Sequence, residues 1–234
     1  QARAAARTAL CLSNKRQIGV AMATYRNDWR YVAPGGGCVF GKADGTTLTK
    51  RWHMFYLKGD GEPYSATEYL NSDAVISCPD GRKGNSIYGA YLSLGSVVVN
   101  SYDEDFWVRQ IPWGESGAPA GTGRFEGMRM DQIPWPSDFI VNTCTFIMNT
   151  AGTTPFGNSR QEFWAMKTGP GGVGVGAPWL VHQDATAGLF ADGHAAATTG
   201  PRLLALRNAS KEDGSRTGVK DWYDRMGILI ENWP

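Results

Sequence analysis

The sequence predicts an α+β fold: a long N-terminal helix packed on an antiparallel β-sheet, with a large irregular, loop-rich insertion. Three observations predict it. Residues 1–29, QARAAARTALCLSNKRQIGVAMATYRNDW, contain no proline and space their apolar residues at helical intervals. Residues 179–199, WLVHQDATAGLFADGHAAATT, set Asp192-Gly193 between two apolar runs, the strongest short-range hairpin signal. Residues 100–178 hold seven of the twelve prolines and four of the nine tryptophans, with little periodicity.

Each element follows in order. Cys11, Ile18, Met22, Tyr25 and Trp29 fall on one stripe of the first helix, the face expected to meet the sheet. Arg3, Arg7, Lys15, Arg16 and Arg26 fall outside that set, where long stems cover apolar surface while their charges stay in water. No Ser, Thr, Asp or Asn precedes the helix as an N-cap, so the stretch reads as the distal part of a longer helix. Pro34 and Gly35-Gly36-Gly37 end it in a loop, and Asp44-Gly45 opens a short strand. Short helices are expected around Trp52–Tyr56 and after the capping box Ser65-Ala66-Thr67-Glu68. AVISCPDG, beginning at Ala74, reads as a brief strand and a Pro-Asp-Gly turn, followed by another strand region. Phe139 to Met148 is β-branched and aromatic, a buried strand inside the irregular segment. Trp107, Trp113, Trp135 and Trp164 are the expected anchors of that insertion. Trp179 to His182, Ala187 to Ala191 and His194 to Thr199 form a meander. The tail from Pro201 carries an apolar patch and a polar loop, and its apolar end packs back on the body.

Composition narrows the function. A net charge of +1 supplies no field for nucleic acid. No apolar run approaches the ~20 residues of a membrane-spanning helix. Thirty glycines, against a usual share of ~7%, imply many turns. Cys11, Cys38, Cys78 and Cys144 form no CxxC pair, which argues against zinc and permits two disulfides in any of three connectivities.

His182, nine intervening residues and Asp192-Gly193 reproduce an H-X9-DG pattern, in the context LFADGHA. Together with ARAAARTALCLSNKRQIGVAMATYRNDW and AVISCPDG, this resembles a family of prepilin-like proteins carrying the H-X9-DG signature, with His182, Asp192 and Gly193 as the signature residues. The resemblance covers both ends and about a third of the chain. It implies one pilin-like domain over 1–234, with 1–29 as the distal helix, 100–178 as the insertion and 179–199 as the C-terminal meander. It also implies a periplasmic or cell-surface protein, anchored in the inner membrane as a precursor through a preceding segment and processed by a prepilin peptidase. Such a protein assembles with other pilin or pseudopilin subunits through its N-terminal helix, into type IV pilus or type II secretion-like filaments.

Chemistry by composition is sparse. His182, Asp184, Asp192 and His194 are metal-ligand types, but a strand between His182 and Asp192 holds them roughly 17 Å apart at ~3.3 Å per residue. No metal is expected, with Asp103, Asp105 and Asp192 as weak calcium candidates. Gly169, Gly171 and Gly174 match GxGxxG without a strand before or a helix after. No catalytic triad spacing is evident. The expected function is structural and non-enzymatic. Its rivals are a surface-anchored polysaccharide-binding module using Trp107, Trp113, Trp135 and Trp164, and a hydrolase using His182 or His194. For disulfides, Cys11 on the helix stripe is expected to face Cys78 across the core, leaving Cys38 with Cys144.

Overall fold

The computed structural model describes residues 2–28, 32–34, 37–41, 47–51, 69–70, 72–80, 89–91, 107–108, 127–129, 131, 133, 135–146, 165–166, 177–213, 222–224 and 229–230. The expected helices around Trp52–Tyr56 and after Ser65, and Trp29, Asp103, Asp105, Trp113 and Trp164, lie outside these residues.

Helix α1 runs Ala2–Asp28. The central sheet has five strands: β1 (Gly89–Tyr91), β2 (Ile140–Thr143), β3 (Ala165–Met166), β4 (Ala185–Phe190) and β5 (Ala195–Thr199). Their spatial order is β5-β4-β2-β1-β3, antiparallel throughout except that β1 and β3 run parallel. Helix α2 (Gly200–Asp213) follows β5 directly. Short antiparallel pairs lie outside this sheet, among them Gly37–Gly41 with Thr47–Arg51 and Trp222–Tyr223 with Leu229–Ile230.

The helix stripe behaves as its spacing predicts. Cys11, Ile18, Met22 and Tyr25 are buried, and α1 packs on β4 and β5. From Ala2 to Leu10 every residue is exposed or half-buried, so the buried face begins at Cys11. Gly19 explains the close fit: a Cβ there would lie 3.0 Å from Leu189 Cδ1 and 3.1 Å from the Gly193 carbonyl oxygen. The helix thus rests on both the strand and the hairpin turn at its end. A turn forms where expected, at Asp192-Gly193, but its loop is three residues long, 191–193: the Phe190 amide donates to the His194 carbonyl and the Gly193 amide to the Phe190 carbonyl, both at 2.9 Å. Gly193 has φ 90°, and Asp192 Oδ1 accepts a hydrogen bond from the His194 amide at 3.1 Å.

Several expectations are corrected. Lys15 is fully buried, not in water, because it stands one turn beyond Cys11 on the same face and its Nζ donates to Asn142 Oδ1. Asp73–Ile76 is a 3-10 turn rather than a strand, capped by Ser72, whose Oγ accepts from the Ala74 amide. The strand after His182 begins at Ala185, two residues earlier than expected. The polar residues after Leu206 continue α2 to Asp213, with Pro201 in its first turn, where a missing N–H costs nothing. Residues 100–178 are not simply an insertion, since β2 and β3 belong to the central sheet.

Candidate metal centre

Four segments converge beneath the point where α1 first touches the sheet. Cys11 arrives on α1. Cys78 follows the capped 3-10 turn; Asn14 on α1 donates from its amide to the Ala74 and Ser77 carbonyls and fixes that turn against the helix. Cys144 comes immediately after β2. Residues two apart on a strand share a face, so Cys144 and Asn142 both point toward α1, where they meet Cys11 and Lys15. Thr143 faces the opposite way and hydrogen-bonds Thr186 of β4 at 2.7 Å.

His182 is aimed by a tight reversal. Its amide donates to the Ala185 carbonyl at 2.9 Å, and the Ala185 amide donates back at 3.1 Å. The two residues between, Gln183 and Asp184, have φ 52° and 63°. Positive φ at both central positions is the requirement of a type I′ connection. Strand β4 then spans the distance to Asp192-Gly193, so His182 and the glycine turn sit at opposite ends of one strand.

The ligand-type atoms of Cys11, Cys78, Cys144 and His182 all lie within 4.8 Å of one another, and all four residues are buried. Cys144 Sγ is 3.6 Å from both Cys11 Sγ and Cys78 Sγ. His182 Nε2 lies 3.4 Å from Cys78 Sγ and 3.5 Å from Cys144 Sγ. On its far side, His182 Nδ1 is 2.8 Å from Asp80 Oδ2. Arg7 Nη1 reaches the other oxygen of that carboxylate, also at 2.8 Å. The chain of contacts therefore runs from exposed Arg7 through Asp80 to the buried imidazole and then to sulfur.

Electrostatics follow from burial and neighbours. The Cys78 thiol is pushed well above its ordinary value by contacts with Cys11 and Cys144 and by burial. For His182, burial opposes the charged form, but Cys144 and Asp80 outweigh it and raise its pKa above 6.5. Metal-free, the pocket therefore holds neutral thiol at Cys78 and a readily protonated imidazole. Three soft sulfur donors and one imidazole are the donor set of a closed, four-coordinate site.

The expected Cys11–Cys78 proximity is found, without the bond: Cys11, Cys78 and Cys144 are all thiols. Cys144, assigned to Cys38, belongs with them; the Cys38 side chain lies outside the described residues. The absence of CxxC spacing is no argument against a metal here, because the donors come from four separate segments rather than two knuckles. Asp192 lies apart from the cluster at the far end of β4, paired with His194 at 2.6 Å. Of the four tryptophans, Trp135 is 43% exposed; Trp107 lies in a strand whose side chains lie outside the described residues. Among the described residues, no helix is long and apolar enough to cross a membrane.

The first 58 residues match a family model. Its description is "Protein of unknown function (DUF1559)", a family associated with pilin-like, prepilin-type proteins. The match takes in α1 with Cys11, and the strands up to Thr47–Arg51. No curated protein and no solved structure matches the chain.

Proposed function

We propose that the chain is the globular part of a pilin-like or pseudopilin subunit of a type IV pilus or type II secretion-like filament. In this reading it is a non-enzymatic structural protein working outside the cytoplasm. Its precursor is held in the inner membrane and matured by a prepilin peptidase, and α1 meets neighbouring subunits. The observation that carries it is the disposition of α1: one face is buried from Cys11 onward against the sheet, while no residue of 2–10 is buried and Arg7 reaches the body through its ion pair with Asp80. The match of residues 1–58 to a pilin-associated family supports it. The test is to tag the protein at its C-terminus in its native host, shear the cells, and look for the tag in purified surface or periplasmic filaments. Labelled filaments are expected. Tag found solely as a monomer, under conditions where the host's filaments assemble, would overturn the reading.

One observation favours a hydrolase instead. Cys144 or Cys78, His182 and Asp80 stand in the order of a thiol nucleophile, a base and an orienting carboxylate. Burial supports the structural reading over this one. Cys78, Cys144 and His182 are 3%, 2% and 3% exposed, and the Cys78 pKa is raised, whereas reactive cysteines are partly exposed with lowered values. Rapid alkylation of Cys78 or Cys144 in the folded protein would revive the hydrolase reading.

A further inference from the structure

We propose that Cys11, Cys78, Cys144 and His182 bind one zinc ion in a closed tetrahedral Cys3His site that fastens α1 to the sheet. The inference stands on the geometry of the cluster and does not depend on the filament reading.

The separations fit the ion. A tetrahedral centre with bonds of about 2.3 Å to sulfur and about 2.0 Å to nitrogen holds its sulfurs about 3.8 Å apart, and a sulfur and a nitrogen about 3.5 Å apart. The two sulfur–sulfur distances at Cys144 are 3.6 Å, and the sulfur–nitrogen distances are 3.4 and 3.5 Å. All remaining separations stay within 4.8 Å. A disulfide would require about 2.05 Å between two of these sulfurs and would leave the third thiol and the imidazole without a role.

The surroundings fit as well. A metal-ligating histidine characteristically presents its other nitrogen to a carboxylate, which fixes the tautomer and aims the ring. His182 does this with Asp80, which Arg7 holds in turn. Three thiolates on a dication leave a net charge of −1 in a buried space. Lys15 brings a buried ammonium one helical turn from Cys11, bonded to Asn142, which shares a strand face with Cys144. Donor type selects the metal: thiolate and imidazole in a tetrahedron suit zinc, whereas calcium and magnesium take oxygen. Four protein donors leave no open position for water, so the ion is structural rather than catalytic.

The experiment uses the 234-residue chain produced in zinc-supplemented medium and purified without chelator. Elemental analysis is expected to find one zinc per chain. Exchange with Co2+ is expected to give the visible bands of a tetrahedral centre with near-ultraviolet charge transfer from three thiolates. Cys38→Ser keeps the ion, while Cys78→Ser and His182→Asn each lose it or weaken it severely. Asp80→Asn keeps the stoichiometry but binds zinc roughly 10–100-fold more weakly, read by competition with a chromogenic chelator. Should the ligand variants fail to fold, the cobalt spectrum of the unaltered chain still decides. An octahedral spectrum, fewer than three thiolate ligands, retention of one equivalent by His182→Asn, loss of the ion in Cys38→Ser, another metal bound preferentially over zinc, or a protein that takes up no metal would each overturn the proposal.

Discussion

Gly19→Ala tests how tightly the helix is seated. In an unconstrained helix interior this change stabilises by about 1 kcal/mol, because alanine gives up less backbone entropy and shields the helix better. Here the new methyl would lie 3.0 Å from Leu189 Cδ1 and 3.1 Å from the Gly193 carbonyl oxygen, inside ordinary contact distance of about 3.5–4.0 Å. Leu189 can rotate its side chain away, but the carbonyl belongs to a tight three-residue turn, 191–193, and moves only with the hairpin. Overpacking of this kind costs about 1–3 kcal/mol. The propensity gain offsets about 1 kcal/mol of it, leaving a net loss of up to about 2 kcal/mol. For a chain of this size that lowers the thermal midpoint by up to about 8 °C. Thermal and urea denaturation measure it. Gln17→Gly, on an exposed position of the same helix, calibrates the propensity contribution. Leu189→Val in the Gly19→Ala background relieves one of the two contacts and should couple favourably. A Gly19→Ala protein more stable than the parent by ~1 kcal/mol would refute the close approach of α1 to the Asp192-Gly193 turn.

Gly193→Ala should cost about 1–2 kcal/mol through its φ of 90° alone, since no atom crowds a Cβ there, and Gly193→Asn should cost less. Asn142→Leu removes one acceptor of the buried Lys15 Nζ and should destabilise by about 1–3 kcal/mol, read by denaturation curves. Leu203→Ala, at a fully buried position of α2, should cost about 2–5 kcal/mol in the same assay. In chelator-stripped protein the raised His182 and Cys78 values make the folded state the better proton binder. That contribution is complete below about pH 6.5 for His182 and about pH 9 for Cys78, and is lost as pH rises through each folded value. Melting midpoints of metal-free protein should therefore fall with rising pH on this account, and His182→Asn should flatten the first step. Zinc-loaded protein should respond in the opposite sense in acid, because protons compete for the thiolates.

Local signals carried much of the fold. The stripe from Cys11 to Tyr25, the Asp192-Gly193 turn and the β-branched run at Ile140 all act over a few residues, where period and turn chemistry are legible. The metal centre was not legible. Its donors are separated by 66 residues between Cys78 and Cys144 and by 38 between Cys144 and His182, and only the sheet order brings them together. Lys15 was misplaced for a related reason: charge argues for water, and its acceptor Asn142 is 127 residues away. The i to i+4 step from Cys11 to Lys15 could have raised the question, since it sets the lysine on the buried stripe. Helix α2 was hidden by the polar run after Leu206, although Pro201 at its start was a usable signal.

The location of Cys11 has a mechanical consequence. It is the first buried residue of α1, so traction on the exposed start of the helix, once past the surface ion pair of Arg7 with Asp80, arrives there before it reaches Ile18 or Tyr25. Oily packing yields to such a load by sliding, one side chain after another. A coordinate bond at the leading edge acts as a rivet, and the rod cannot peel from the sheet until that bond ruptures.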